Sequence, residues 1–300
     1  MSTQTLTTSS RAVELWRLGK PKVVSLIVFC AAAGALMATP QWSALPNVIF
    51  SLLGIALVAM GAAAVNCLVE RDRDAVMRRT ERRPLVKGTL TPLEAGLYAT
   101  IMTLGGLALL QTFANALAMW LTLGTFFGYA VIYTRWLKPA TPQNIVIGGA
   151  AGAMPPVLGW AAVTGSVPAE ATVLFLLIYT WTPPHFWALA LYRQLDYQKA
   201  GLPMLPVTHG PAYTRQTIVL YAVMLYAVAL LPFVIGMSGW VYLAIAVWFN
   251  SGFLWRSIKL YRTADEAVAR GLFLYSIRYL AWVFGALILD RIWTMVLNHL

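Results

Sequence analysis

The sequence predicts an all-α integral membrane protein with nine transmembrane helices, a cytoplasmic N-terminus and a periplasmic C-terminus. Of its 300 residues, 59% are hydrophobic and only 11% are charged, whereas soluble domains carry about 25% charged residues. Nine apolar runs approach the roughly 20 residues of helix that cross a bilayer. The lysines and arginines also collect on one predicted side of the membrane. These observations exclude a disordered chain, a fibre and an ordinary soluble enzyme.

Residues 1–21 predict a polar cytoplasmic tail, and residues 22–300 predict a single membrane domain. Repeated Gly, Ala and Thr within the apolar runs favour close helix packing in lipid. A β-barrel would instead show segments of about 10 residues that alternate polar with apolar side chains, and the sequence has none. The predicted spans are 22–39, 46–67, 92–112, 115–135, 143–163, 170–192, 214–236, 239–257 and 272–296.

The basic residues predict the orientation of these spans. Twenty of the 22 lysines and arginines fall in the tail or in the loops after even-numbered spans, and only Arg278 and Arg291 do not. The net charge of +11 is therefore interpreted as topology and not as nucleic-acid binding. The first 20 residues lack the apolar core of a secretory signal, and a mitochondrial transit peptide would usually be longer and richer in Arg. We therefore expect a multi-pass protein of a bacterial inner membrane and not of an organelle. Cys30 and Cys67 have neither disulfide nor zinc spacing.

The first chemically informative segment, N-C-L-V-E-R-D-R-D, ends the second span. Asn66, Glu70 and Asp74 are spaced i, i+4 and i+8, which places their oxygens on one helical face, whereas Asp72 points elsewhere. Hard cations such as Mg²⁺ take oxygen ligands of this kind, usually shared with substrate phosphates. A solvated helix end explains the spacing equally well. The run of arginines that follows, Arg78 to Arg83, makes a diphosphate site chemically sensible, although it also suits anionic lipid.

The second segment follows the sixth span. Pro183 and Pro184 interrupt a helix at membrane depth, which is tolerated where the backbone lines a cavity or packs within protein. His185 comes next and is either a ligand or a packed, hydrogen-bonded side chain. Tyr192 and Asp196 share a helical face, and Arg193 and Lys199 add positive charge.

The third segment joins spans four and five. Gln143 and Asn144 place polar groups at the cytoplasmic mouth of a glycine-rich helix. Gly148, Gly149 and Gly152 permit close approach by a neighbouring helix or by a flat ligand.

Together these segments resemble the intramembrane prenyltransferases of the UbiA type, over residues 20–295. N-C-L-V-E-R-D-R-D followed by R-T-E-R-R-P-L is similar to the first aspartate-rich motif of that family. Three further runs are similar to signatures of the branch that farnesylates haem: T-P-Q-N-I-V-I-G-G-A-A-G-A, P-P-H-F-W and D-Y-Q-K-A-G-L-P-M-L-P-V. The family has a nine-helix fold, in agreement with the count from hydropathy.

The resemblance implies that Asn66, Glu70 and Asp74 form the first metal–diphosphate motif and that Asp196 belongs to the second. These four are the predicted catalytic and metal-binding residues. This chain has Glu70 where the family usually has Asp, and Tyr192 where the wider family has a carboxylate. The predicted substrate-binding residues are Arg78, Arg82, Lys138, Gln143, Asn144, His185, Tyr192, Arg193 and Lys199.

The implied reaction transfers the farnesyl group of farnesyl diphosphate to a vinyl group of haem b, with addition of water, and yields haem O and diphosphate. Mg²⁺ is the implied cofactor and haem b is a substrate, with His185 predicted as an axial ligand of its iron. The implied partners are the two substrates, the lipid bilayer, and a haem A synthase or an assembly factor of haem-copper terminal oxidases. Nucleic acid is not among them.

Two alternatives remain at this stage. Another prenyltransferase of the same type, acting on a quinone precursor or on chlorophyllide, would share the metal motif but would not need His185. A transporter would instead carry charge in mid-span or a broken pair of helices in repeated halves. In this sequence the polar residues gather at one membrane face, as expected for catalysis there.

Overall fold

The structure, a computed structural model, describes residues 8–38 and 45–297, and this part of the chain contains helices and no strands. Most of the predicted outer loop between the first two spans, residues 1–7 of the tail, and His299 lie outside the described residues. The helices before the third segment are α1 Thr8–Leu18, α2 Pro21–Ala38, α3 Leu45–Val69, α4 Arg71–Ala75, α5 Pro84–Lys87, α6 Pro92–Phe113 and α7 Ala116–Phe127. A π-helical segment, Gly128–Leu137, continues α7.

The second half of the chain completes the helical domain. Its helices are α8 Lys138–Ala140, α9 Asn144–Ala153, α10 Pro155–Thr164, α11 Ala169–Tyr192, α12 Gln194–Lys199, α13 Leu205–Thr208, α14 Gly210–Val234, α15 Trp240–Thr263 and α16 Glu266–Leu297. Helix–helix contacts run from α2 through α3, α6 and α7 to α9–α10, then through α11, α14, α15 and α16, and α16 returns to α2. The long helices therefore form a closed ring.

Eight stretches of the described chain are long and apolar enough to cross a membrane, and the protein is a multi-pass membrane protein. They correspond to the first seven predicted spans and the ninth. The predicted eighth span, 239–257, lies in α15, a continuous helix of 24 residues. Its tryptophans, Asn250 and Arg256 lower its hydropathy. The count of nine spans and the orientation of the termini stay predictions.

Small residues bring the helix backbones together. A Cβ atom on Gly34 of α2 would lie 2.0 Å from the carbonyl oxygen of Pro156 in α10, and one on Gly159 would lie 1.9 Å from that of Ala31. Neither position can hold a larger residue without separating the two helices. This agrees with packing in lipid, where close backbone contact stabilises helix pairs.

The predicted tail contains a helix of its own. Residues 8–18 form α1, which contacts α3, α5 and α6. Glu14 accepts a hydrogen bond from Thr89 at 3.2 Å, and Arg11 lies 3.5 Å from Glu94. Lys20 has a left-handed backbone, with φ of 52°, directly before Pro21. This turn leads from α1 into α2 and directs the Lys20 side chain toward the end of α3.

Candidate functional site

The first predicted motif forms a buried row of oxygens at the end of α3. Helical hydrogen bonds continue across the junction with α4, from Glu70 N to Asn66 O at 3.0 Å and from Asp74 N to Glu70 O at 2.8 Å. Asn66, Glu70 and Asp74 are each 3% exposed, whereas the side chain of Asp72 is 94% exposed. The spacing therefore has the one-faced geometry that the sequence predicts.

Cations surround the two carboxylates of this row. Lys138 forms an ion pair with Oε1 of Glu70, and Arg83 forms one with Oδ2 of Asp74. Nη1 of Arg83 also lies 3.7 Å from Oε2 of Glu70. Burial by itself raises the pKa of Glu70, but the charges of Lys138, Lys20 and Arg83 outweigh it, and the pKa of Glu70 is lowered. Glu70 is therefore an anion at neutral pH.

Lys20 is a site residue that the sequence reasoning missed, because its charge was counted only toward topology. Its ammonium donates to Oδ1 of Asn66 at 2.6 Å, and burial lowers the pKa of Lys20 to about 8. Nδ2 of Asn66 donates to Oγ1 of Thr134 at 3.1 Å. In the sequence, only the position of Lys20 directly before Pro21, at the start of the first span, could have indicated that it belongs to the site.

The π-helical segment supplies the wall opposite this row. Thr134 donates to the carbonyl of Tyr129, five residues earlier, at 2.8 Å. Tyr129 and Tyr133 stack with ring centroids 5.8 Å apart, and both interact electrostatically with Glu70. Gly148 of α9 makes room for Tyr133, since a Cβ there would lie 2.2 Å from Cδ2 of the ring. The glycine therefore admits a neighbouring side chain. Segments of π-helix frequently mark functional sites.

The second predicted cluster lies on α11 and α12. Asp196 is buried, and its Oδ2 lies 3.6 Å from Nη1 of Arg193. That oxygen makes no hydrogen bond within the described residues. The guanidinium of Arg193 lies 5.5 Å from the ring centroid of Tyr192. Tyr197, the residue after Asp196, is also buried.

His185 lies deeper in the membrane domain, among aromatic rings. Its imidazole stacks on Trp181, with ring centroids 4.2 Å apart, and on Phe273, at 4.7 Å. Nδ1 lies 2.5 Å from Oγ of Ser276. The residue is 7% exposed, so its neighbours restrict rotation of the ring.

The remaining predicted residues divide into buried and exposed groups. Asn144 is fully buried, its Nδ2 donates to the Thr141 carbonyl at 2.6 Å, and its Oδ1 has no hydrogen-bond partner in the described part of the chain. Lys138 holds Glu70, as described above. Four predicted substrate-binding residues are exposed, and none of them forms an ion pair or hydrogen bond with Glu70 or Asp74: Arg78, Arg82, Gln143 and Lys199. Arg83, which the prediction left out, occupies the position beside Asp74.

This arrangement fits a divalent cation and a diphosphate. The described residues contain no group of three or more His, Cys, Asp or Glu side chains arranged to hold a metal, and the carboxylates of Glu70 and Asp74 are paired with Lys138 and Arg83. Three carboxylates and one amide are nevertheless hard oxygen donors of the kind that Mg²⁺ takes. Oδ2 of Asp196 has unused acceptor capacity. Lys20, Lys138 and Arg83 outnumber Glu70 and Asp74, which favours a further anion.

Comparison with known proteins identifies the family. Residues 27–282 match the UbiA prenyltransferase family. The chain is similar to the protoheme IX farnesyltransferase of Nitrosospira multiformis, with 56% identity over 284 residues that cover 95% of each chain. It is 54% identical to the protoheme IX farnesyltransferase of Methylibium petroleiphilum over 299 residues, or 96% of each chain.

Solved structures share the fold at low sequence identity. A digeranylgeranylglyceryl phosphate synthase superposes with a TM-score of 0.76 at 17% identity, covering 94% of this chain and 99% of that one. A UbiA homologue from Archaeoglobus fulgidus, bound to DMAPP and Mg²⁺, has a TM-score of 0.64 at 20% identity, covering 91% of this chain and 99% of that one. With the match along most of its length, the chain belongs to the UbiA prenyltransferase family.

Proposed function

We propose that this protein transfers the farnesyl group of farnesyl diphosphate to a vinyl group of haem b, adds water, and forms haem O and diphosphate. The observation that carries the substrate assignment is the 54–56% identity, over about the whole chain, to relatives named protoheme IX farnesyltransferase. The buried carboxylates of Glu70 and Asp74, which are surrounded by a larger number of cations, support the assignment as a prenyl transfer from a diphosphate. Haem O formed in this way would serve the biogenesis of haem-copper terminal oxidases.

The reaction breaks the allylic C–O bond, and the bonding electron pair leaves with diphosphate. Lys20, Lys138 and Arg83 place positive charge where that negative charge develops, and fixed charges of this kind stabilise a transition state strongly in a water-poor site. The vinyl π-electrons of haem b form the new C–C bond to the farnesyl cation. Water then adds to the resulting cation on the haem side, and its proton passes to the released diphosphate.

Asn66, Glu70, Asp74 and Asp196 would hold Mg²⁺, which when bound neutralises charge on the diphosphate. Binding of Mg²⁺ by Glu70 and Asp74 would replace their ion pairs with Lys138 and Arg83. The ring faces of Tyr129, Tyr133 and Tyr197 suit an allylic cation and would exclude water. Arg193 and Tyr192 lie beside Asp196 and would contact the same diphosphate or a haem propionate.

His185 would bind the iron of haem b. A neutral imidazole is a common ligand of iron, and the aromatic surroundings of His185 suit the flat, apolar macrocycle. Phe273 stacks on His185 and also lies 6.0 Å from Tyr192, between ring centroids. The His185 site is therefore connected to the second acidic cluster through one aromatic side chain.

The proposed setting is a bacterial inner membrane, with residues 22–300 as one prenyltransferase domain behind a short cytoplasmic tail. Nine spans would place the N-terminus in the cytoplasm, the C-terminus in the periplasm, and both acidic clusters on the cytoplasmic side. A cysteine placed at Lys87 or at Lys199, both of which are exposed, should react with an impermeant thiol reagent from the cytoplasm. Reaction from the periplasm would refute this orientation. The partner that receives haem O would be a haem A synthase or a terminal oxidase assembly factor.

The test of the reaction uses purified protein with haem b, farnesyl diphosphate and Mg²⁺, and identifies the pigment by mass. We expect haem O to form, and excess EDTA to abolish its formation. Parallel assays with a quinone precursor and with chlorophyllide distinguish the other prenyltransferase activities. Turnover of either compound without turnover of haem b would overturn the proposal.

A further inference from the structure

Ser276 in α16 is the centre of a small hydrogen-bond network around His185. Its hydroxyl oxygen lies 2.5 Å from Nδ1 of His185 and 2.6 Å from the carbonyl oxygen of Phe273. Its own carbonyl accepts from Nε1 of Trp181 at 2.8 Å. The serine side chain is fully buried. Ser276 of α16 therefore contacts two aromatic side chains of α11, His185 and Trp181.

The hydrogens at these contacts are assigned from donor and acceptor chemistry. A carbonyl oxygen only accepts, and a serine hydroxyl has a single hydrogen. Two oxygens at 2.6 Å without a hydrogen between them would repel each other, so the hydroxyl of Ser276 donates to Phe273. The contact at 2.5 Å then needs a hydrogen from the imidazole. His185 is accordingly protonated on Nδ1, and Nε2 carries a lone pair.

We infer that Ser276 is a positioning residue that holds His185 in its Nδ1–H tautomer and leaves Nε2 available to the iron of haem. The tautomer of a ligating histidine is set by the hydrogen bond of its other nitrogen. Nε2 makes no hydrogen bond in the described part of the chain. Trp181 and Phe273 stack on the ring and oppose its rotation. The role toward haem depends on the proposed function, whereas the tautomer does not.

The first experiment measures the tautomer directly. The full-length protein is labelled with ¹⁵N-histidine, and the His185 signals are assigned by their loss in His185→Ala, since the chain has three histidines. We expect a protonated Nδ1 and an unprotonated Nε2 in the haem-free protein. In Ser276→Ala the population should shift toward protonation on Nε2, because the acceptor for Nδ1–H is gone. A His185 protonated on Nε2 in the wild type would overturn the inference.

The second experiment measures haem binding from the absorption spectrum. Loss of a group that orients a metal ligand typically lowers metal affinity by about 10- to 100-fold, and we expect a loss of that size in Ser276→Ala. Ser276→Thr keeps a hydroxyl and should retain both the tautomer and the affinity. The bond from Trp181 uses the backbone of Ser276, so it persists in every variant.

Ser257 provides a matched control. It is a fully buried serine of the neighbouring helix α15, and its hydroxyl donates to the Phe253 carbonyl at 2.9 Å. Ser257→Ala should change neither the tautomer nor the haem affinity. An equal loss in both alanine variants, or no change of tautomer and affinity in Ser276→Ala, would refute the assigned role. If His185→Ala leaves the haem spectrum unchanged, the haem contact of the proposed function fails, and the tautomer measurement still decides the role of Ser276.

Discussion

The two acidic clusters of this protein differ in how far their charge is compensated. Glu70 and Asp74 are each paired with a cation, and Lys20 adds a third positive charge beside them. Asp196 has only Arg193 at 3.6 Å, and one of its buried oxygens makes no hydrogen bond within the described residues. The carboxylates of the first cluster are thus compensated by ion pairs, whereas the second cluster has an oxygen with unused acceptor capacity.

The largest expected effect concerns turnover, which should need both clusters. Glu70→Ala, Asp74→Ala and Asp196→Ala should each lower turnover by about 100-fold or more, or about 3 kcal/mol of lost transition-state stabilisation. Asp72→Ala is the matched control, because Asp72 is an exposed carboxylate in the same turn as Asp74. Its turnover, measured with the same haem O assay, should equal that of the wild type. A comparable loss in Asp72→Ala would show that turnover depends on the number of carboxylates in this segment and not on their position.

Stability should separate the two clusters. Asp74→Asn removes the charge that Arg83 pairs with, and a hydrogen bond to a charged group contributes about 1.5–3 kcal/mol. Asp196→Asn removes a carboxylate with an oxygen that already lacks a hydrogen bond, so its midpoint of thermal unfolding in detergent should change less. Equal shifts of the two midpoints, without Mg²⁺ or substrate, would contradict the comparison.

The length of the Glu70 side chain matters less than its charge. Glu70→Asp should keep about tenfold more turnover than Glu70→Gln, since tenfold corresponds to about 1.4 kcal/mol and only the aspartate can pair with Lys138. Assays across a range of Mg²⁺ concentrations should show a higher Mg²⁺ requirement for Glu70→Asp. Better activity in Glu70→Gln would show that the negative charge is dispensable.

The smallest expected effect comes from Lys20, whose ammonium hydrogen-bonds to Asn66 and forms no ion pair with a carboxylate among the described residues. Lys20→Met should raise the KM for farnesyl diphosphate by about tenfold or less, because one of several charge-assisted contacts is lost. Lys22→Met is the control, since Lys22 is exposed and two residues further along the chain. A similar KM for both variants would place Lys20 outside the diphosphate site.

Local periodicity was sufficient for much of the fold. Eight of the nine spans expected from hydropathy coincide with long apolar helices of the structure. They could be located because a helix that crosses lipid must be apolar along its own length. The i, i+4, i+8 spacing placed Asn66, Glu70 and Asp74 on one face, because adjacent turns of one helix fix that relation. Helical spacing could not show whether Arg82 or Arg83 lies beside Asp74. The chain between Ala75 and Pro84 is not helical, so no fixed period relates these residues.

By itself, the sequence determined the helical membrane class, the row of acidic residues and the family. Only the tertiary structure decided what surrounds that row. Lys138 reaches Glu70 across 68 positions of the chain, and Ser276 reaches His185 across 91. Contacts between residues so far apart in sequence depend on which helices are neighbours in the closed ring. They also depend on glycines such as Gly148, which let side chains of a neighbouring helix approach. No periodic pattern within a single helix encodes that choice, because it arises from packing between helices.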